Sequence, residues 1–124
     1  MITGAVNARR EAIVRLRVRG RSGGIETEVD VIVDSGFTAS LTLPAKMVTA
    51  LSLKRKLYGT ATLADGSVRR YDICHAEVSW DGVWRKVLVY VLGDQPLLGM
   101  RLLVGHKLAI DVVPRGLVEI VPLP

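Results

Sequence analysis

Residues 29–37 read Val29-Asp30-Val31-Ile32-Val33-Asp34-Ser35-Gly36-Phe37. Branched apolar residues, which favour extended backbone, run up to Val33 and stop at a carboxylate followed by two very small residues. The unbroken Val31-Ile32-Val33 predicts a strand end covered on both faces. Asp34-Ser35-Gly36 predicts a tight turn where that strand leaves the core, with little side-chain bulk to keep another segment away. A carboxylate held at such an exit is a candidate for acid–base chemistry. By itself the tripeptide also fits an ordinary surface turn.

The same strand pattern extends in both directions. Upstream, residues 13–19 (Ile-Val-Arg-Leu-Arg-Val-Arg) alternate, so Val14, Leu16 and Val18 are expected inside and Arg15, Arg17 and Arg19 in water. A turn at Gly20-Arg21-Ser22-Gly23-Gly24 leads into extended residues 25–33. Downstream, residues 37–43 read as a short strand. Pro44 then opens a short helix over 44–51, with Met47, Val48 and Leu51 on one stripe. Strands at 58–64 and 68–80 are joined at Asp65-Gly66, and Asp81-Gly82 leads into 83–92. Both Asp-Gly pairs predict two-residue type I′ turns. Residues 83–92 are apolar on both faces after their start, which predicts a central strand. A loop at 93–96 precedes Leu97-Leu98-Gly99 and a short helix over 100–104. Residues 107–113 and 117–121 close the chain as a hairpin about Pro114-Arg115-Gly116. The expected class is all-β, a closed barrel or sandwich-like core with one or two short helices.

Composition agrees with one domain spanning residues 1–124. Hydrophobic residues make up 49% of the chain, too many for a disordered segment, and this length can bury a core without a disulfide or metal staple. The single cysteine, Cys74, cannot form an internal disulfide and fits a reducing compartment. No apolar run approaches the roughly 20 residues of a membrane span, and the first residues lack the apolar core of a signal peptide. A cytoplasmic protein with no membrane partner is the expectation. The formal charge is +5, which favours acidic partners.

An ordered set of features around Asp34 resembles the retropepsin-like (retroviral-type) aspartic proteases, in particular small bacterial relatives with an Asp-Thr-Gly-Phe signature. These features are the apolar strand at residues 29–33, Asp34-Ser35-Gly36-Phe37, and Leu41-Thr42-Leu43-Pro44 entering a helix. A hairpin tipped by Leu63-Ala64-Asp65-Gly66-Ser67 follows, then Leu97-Leu98-Gly99 and the strand Leu108-Ala109-Ile110-Asp111. The match covers about residues 12–121. The resemblance implies a retropepsin-like closed β-barrel working as a homodimer. In it Asp34 of each protomer is catalytic and a peptide bond of a polypeptide substrate is hydrolysed by an activated water. Ser35 and Gly36 would complete the active-site loop. Ala64, Asp65, Gly66 and Ser67 would form the tip of a substrate-covering flap, and Leu97, Leu98 and Gly99 would support the loop from beneath. No cofactor or metal is implied. The chain departs from the retroviral pattern in two places. The flap tip has only Gly66, and the usual ion pair has Met100 and Thr38 at its positions, with Arg101 one residue too late to replace the arginine.

Other residues fit plainer roles. Cys74 and His75 are neighbours in a strand and face opposite ways, so they do not chelate one metal together. Asp111 fits a strand edge. Trp80 and Trp84 flank the Asp81-Gly82 turn, in reach of a cross-strand contact. Basic residues at 9–10, at 15, 17, 19 and 21, and at 54–56, 69–70 and 85–86 could combine into a charged patch, though the alternating arginines also fit a strand's solvated face. The six aromatic residues lack a stacking-platform signature, so nucleic acid is not the expected partner. Two readings stand beside the peptidase: a non-cleaving peptide-binding or dimerisation module of the same fold, and a basic β-barrel that binds nucleic acid.

Overall fold

The computed structural model describes residues 1–21 and 23–124; Ser22, within the expected turn at residues 20–24, lies outside the described residues. Strands hold 54% of the chain and helices 8%, so the class is all-β, as the alternation predicts. One sheet contains ten strands: β1 (Ile2–Val6), β2 (Ala12–Arg19), β3 (Glu26–Val33), β4 (Leu41–Leu43), β5 (Arg55–Thr62), β6 (Val68–Trp80), β7 (Val83–Val91), β8 (Leu97–Leu98), β9 (His106–Ile110) and β10 (Leu117–Pro122). Helix α1 (Ala45–Ala50) follows β4, and α2 (Met100–Leu103) follows β8.

Strand β2 organises the sheet. Val14, Leu16 and Val18 are buried, while Arg15 and Arg17 are exposed, as a period of two requires. One edge of β2 pairs with β3 along most of its length. The other edge is shared: Ala12–Val14 pairs with β1, and Arg17–Arg19 pairs with β6. The β2–β6 pairing closes a ring of six strands in the order β6-β7-β4-β8-β3-β2. Strand β5 extends outward from β6, and β1, β10 and β9 extend from β2. The core lies inside the ring, where Leu41, Leu43, Ala76, Val78, Val89 and Leu98 are fully buried. The outward arginines of β2 face carboxylates: Arg15 meets Asp30 at 2.8 Å, Arg17 lies 3.7 Å from Glu26, and Arg19 meets Glu77 at 2.9 Å.

Several expectations are corrected. Residues 31–33 are not covered on both faces: Val31 is fully buried, while Ile32 and Val33 are half-buried because the outer side of β3 floors a groove. The strand expected at 37–43 is confined to Leu41–Leu43, since residues 37–40 bend around Gly99. Helix α1 starts at Ala45, one residue later than expected, because Pro44 keeps an extended ψ of 151° as the cap. Its apolar stripe is as predicted, with Leu51 buried and Met47 and Val48 packed on the core.

The two Asp-Gly turns differ. At Asp81-Gly82 both residues have positive φ (52° and 87°) and Trp80 pairs with Val83, which is the two-residue I′ turn expected. At the other hairpin the pairing stops at Thr62↔Val68, and the turn is a longer one over residues 63–67. Gly66 donates its N–H to the Leu63 carbonyl at 2.9 Å and alone is left-handed, at φ 84°. Asp65 is not left-handed, and its side chain folds back onto the Ser67 N–H and hydroxyl, at 2.9 and 2.6 Å. Trp80 and Trp84 do not meet across their hairpin. The register Trp80↔Val83 and Ser79↔Trp84 sets the rings on opposite faces. Trp80 is buried and donates to His106 Nε2 at 3.2 Å, and Trp84 lies under the Arg19 guanidinium. No helix of the described residues is long and apolar enough to cross a membrane.

Candidate active site

Strand β3 ends at Val33, and Asp34 begins the loop to β4. The two-residue strand β8 lies between β3 and β4, parallel to the first (Ile32↔Leu97, Val33↔Leu98) and antiparallel to the second (Leu41↔Leu98). The Asp34 loop is thereby tied down at both ends. Asp34 donates its N–H to the Leu98 carbonyl at 2.9 Å, and Gly99 donates to the Ser40 carbonyl at 2.9 Å. Met100 donates to the Phe37 carbonyl at 2.8 Å. Gly99 is buried beneath the loop with no room for a side chain, since a Cβ there would lie 2.1 Å from the Ala39 carbonyl oxygen. Leu97, Leu98 and Gly99 therefore underlie the loop.

Thr42 completes the support. It is buried, accepts the Leu97 N–H at 3.0 Å and donates to the Gln95 carbonyl at 3.4 Å. Its place in Leu41-Thr42-Leu43, one hydroxyl inside an apolar strand, is the signal that could have marked it.

Within the loop, Asp34 Oδ1 accepts the Gly36 N–H at 2.9 Å, and Phe37 donates its N–H to the Asp34 carbonyl at 3.1 Å. These bonds fix the carboxylate's direction and leave its second oxygen free of any bond among the described residues. Asp34 is half-buried, while Ser35 and Gly36 are exposed. Two grooves meet at Asp34. One, about 380 Å³, runs past Phe37, Thr42 and the loop at residues 92–95. The other, about 430 Å³, runs over Ile32 and Val33 toward Glu11, Ile110 and Val112. Asp94 lines the first groove and Glu11 the second; neither was singled out by sequence. Glu11 is held by the Asn7 amide at 2.9 Å.

Ala64, Asp65, Gly66 and Ser67 are exposed at the tip of the β5–β6 hairpin and line neither groove. The hairpin is linked to the Asp34 loop through aromatic rings. Tyr71 on β6 stacks on Tyr90 of β7 (centroids 5.5 Å apart), and Tyr90 meets the edge of Phe37 (5.8 Å). The Asp65 carboxyl is held below its ordinary value by the Ser67 hydroxyl and the Ser67 N–H.

Cys74 is buried in the core and His75 turns outward, as alternation requires. Burial pushes the Cys74 thiol up from its ordinary value, Asp72 adds to the shift and Arg55 opposes it, so it is not an activated nucleophile. Asp111 lies beyond β9, where its N–H donates to the Leu117 carbonyl at 2.9 Å and its carboxylate is exposed. No group of three or more histidine, cysteine and acidic side chains among the described residues is placed to hold a metal.

Comparisons of the chain with protein-family models, with curated proteins and with solved structures return no match.

Proposed function

We propose that two copies of this chain, with the closed-barrel fold of the retropepsin-like proteases, form an aspartic endopeptidase whose catalytic pair is Asp34 of each protomer. The observation that carries this reading is the position of Asp34. It is half-buried where two grooves meet, on a loop braced from beneath by Leu97, Leu98 and Gly99 and oriented by the Gly36 N–H. The grooves give an extended peptide a path across the carboxylate. The order of elements, from β3 and the Asp34 loop through β4, α1 and the β5–β6 hairpin to β8 and α2, follows the order of features on which the resemblance rests.

A second copy is needed because the chain has one such loop. Isologous pairing about a two-fold axis brings the same residue from each subunit to the axis. Ile110, Val112 and Val113 are exposed, and the first two line the second groove beside Asp34, which gives an apolar margin for that contact. Ser35 then lies next to the axis and bonds between the two loops.

In the pair, two neighbouring carboxylates share one proton, because both cannot easily be charged at once. The ionised carboxylate takes a proton from water as the water oxygen bonds to the peptide carbonyl carbon. The protonated one gives its proton to the carbonyl oxygen, forming a neutral gem-diol. The carbon–nitrogen bond then breaks as the nitrogen is protonated and a hydroxyl proton of the diol returns to the carboxylates. In this reading the β5–β6 hairpin closes over the substrate and excludes water.

The test is cleavage of a mixed peptide library by the full chain, by Asp34→Asn and by Asp94→Asn. Loss of cleavage in Asp34→Asn, with Asp94→Asn retaining most of it, supports the shared pair. Cleavage that survives Asp34→Asn overturns it, and cleavage lost equally in both variants replaces it with a pair inside one chain. A wild-type chain that binds library peptides without cutting them points to the non-cleaving module.

A further inference from the structure

A cavity of about 480 Å³ lies behind the Asp34 loop, on the outer face of β6 and β7. Five separate segments send a basic side chain to it: Arg21 after β2, Lys56 of β5, His75 of β6, Lys86 of β7 and Arg101 of α2. Thr38 and Ser40, from the loop that carries Asp34, add hydroxyls. No carboxylate among the described residues lines it. Among the described residues none of Arg21, Lys56, Lys86 and Arg101 has an acidic partner within 4.0 Å, whereas Arg15, Arg17, Arg19 and Arg55 all do. Glu77, opposite Lys86 across the β6–β7 pair, is engaged by Arg19 at 2.9 Å.

Like charges gathered in a concavity repel one another and focus a positive potential there. Such an arrangement is complementary to a compact, highly charged anion. We propose that this cavity binds a small ligand carrying two or more phosphate groups. The volume falls in the range of small-molecule sites, roughly 300–1,000 Å³. The lining supplies donors suited to phosphate oxygens, namely guanidinium, ammonium and hydroxyl groups. Phosphates deliver several negative charges within such a volume, which carboxylates spaced along a peptide cannot. A polynucleotide fits less well, because the phenol ring at the cavity, Tyr90, is already packed by Tyr71 and Phe37, and the His75 imidazole is engaged by Arg21, so neither offers a free platform for bases. This inference does not rest on the peptidase reading.

His75 supplies a local reporter. Arg21 Nη1 donates to His75 Nδ1 at 3.3 Å. Desolvation, with the charges of Arg21 and Lys56, holds the imidazole below its ordinary value. The groups facing it from the surrounding elements are Arg21, Lys54, Lys56, Lys86, Arg101 and Tyr90, with Glu77 on its own strand. A bound polyphosphate offsets the positive field, so His75 takes up a proton more readily and binding strengthens as pH falls through the His75 titration.

The experiment is calorimetric titration of the full chain with tripolyphosphate at low salt, with ATP in a second arm, while the His75 ring signal is followed by NMR across pH. The expected result is saturable binding of one ligand per chain, weakening with salt. Lys56→Gln/Lys86→Gln should weaken it about tenfold or more, Arg9→Gln/Lys107→Gln, in the β1–β2 turn and on β9, should leave it unchanged, and the His75 midpoint should rise on saturation. Equal affinity for both probes assigns recognition to the phosphate chain, and tighter ATP binding adds the nucleoside. No saturable binding, equal loss in the two double variants, or an unmoved His75 midpoint overturns the proposal. So does an oligonucleotide that outcompetes tripolyphosphate and ignores Lys56→Gln/Lys86→Gln.

Discussion

Gly99 passes so close under Ala39 that a Cβ on it would stand 2.1 Å from the Ala39 carbonyl oxygen. The Phe37 carbonyl oxygen would be 2.7 Å away, so the obstacle is backbone on two sides and cannot be relieved by a rotamer change. Gly99→Ala must therefore displace the Asp34 loop or β8. The cost expected is at the upper end of the roughly 1–3 kcal/mol of overpacking, read from the urea midpoint at unchanged slope. Cleavage should fall further than stability explains, because the loop that aims Asp34 is what moves. A variant of wild-type stability would mean the loop is not seated on Gly99.

Thr42 tests the same support from the other side. Thr42→Val keeps the shape but leaves the half-buried Leu97 N–H without its acceptor at 3.0 Å. A loss of about 1–3 kcal/mol is expected, with Thr42→Ser recovering most of it. Equal stability of the valine and serine variants would remove the hydroxyl from the account.

The hairpin tip should hold its turn in acid. The Asp65 carboxyl is depressed below its ordinary value of 3.8 by the Ser67 hydroxyl first and the Ser67 N–H second. A depressed folded-state value means the unfolded chain binds more protons. The contribution is therefore fully present above about pH 3.8 and is lost only as pH falls through the lower folded-state value. Carboxyl NMR should give Asp65 a midpoint below 3.8, and Ser67→Ala should raise it. A wild-type midpoint at or above 3.8 would show that Asp65 does not close the turn.

Cys74 should be silent in the native protein. Its thiol is buried and pushed up from its ordinary value. A disulfide reagent at pH 8 should react slowly, at a rate that follows opening of the fold, and rapidly in denaturant. Fast stoichiometric reaction of the folded chain would contradict the burial.

Local patterns were legible and distant pairings were not. The burial of Val14, Leu16 and Val18, the span of β6, the I′ turn at Asp81-Gly82 and the stripe on α1 follow from interactions a few residues apart. The closure of β2 on β6 and the insertion of Leu97-Leu98 between β3 and β4 depend on contacts far apart in the chain, which no local period encodes. Strand β1 went unread because Gly4 and Ala5 are weak strand formers held by pairing with β10 and β2. At the site, Asp34 stood out because it ends an apolar run. The grooves beside it need residues 32–37, 92–97 and 110–112 together, and the basic cavity draws on five segments, so neither has a sequence signature.

The central claim is that one chain holds half of a catalytic site. Its most direct test is peptide cleavage by a fixed amount of wild-type chain titrated with Asp34→Asn chain, after subunit exchange. If the site is shared, mixed dimers are dead and the variant poisons the wild type. With three parts variant to one part wild type, activity should fall to roughly a quarter by random pairing. Activity that stays constant as the variant is added would contradict the account, because each chain would then hold a complete site.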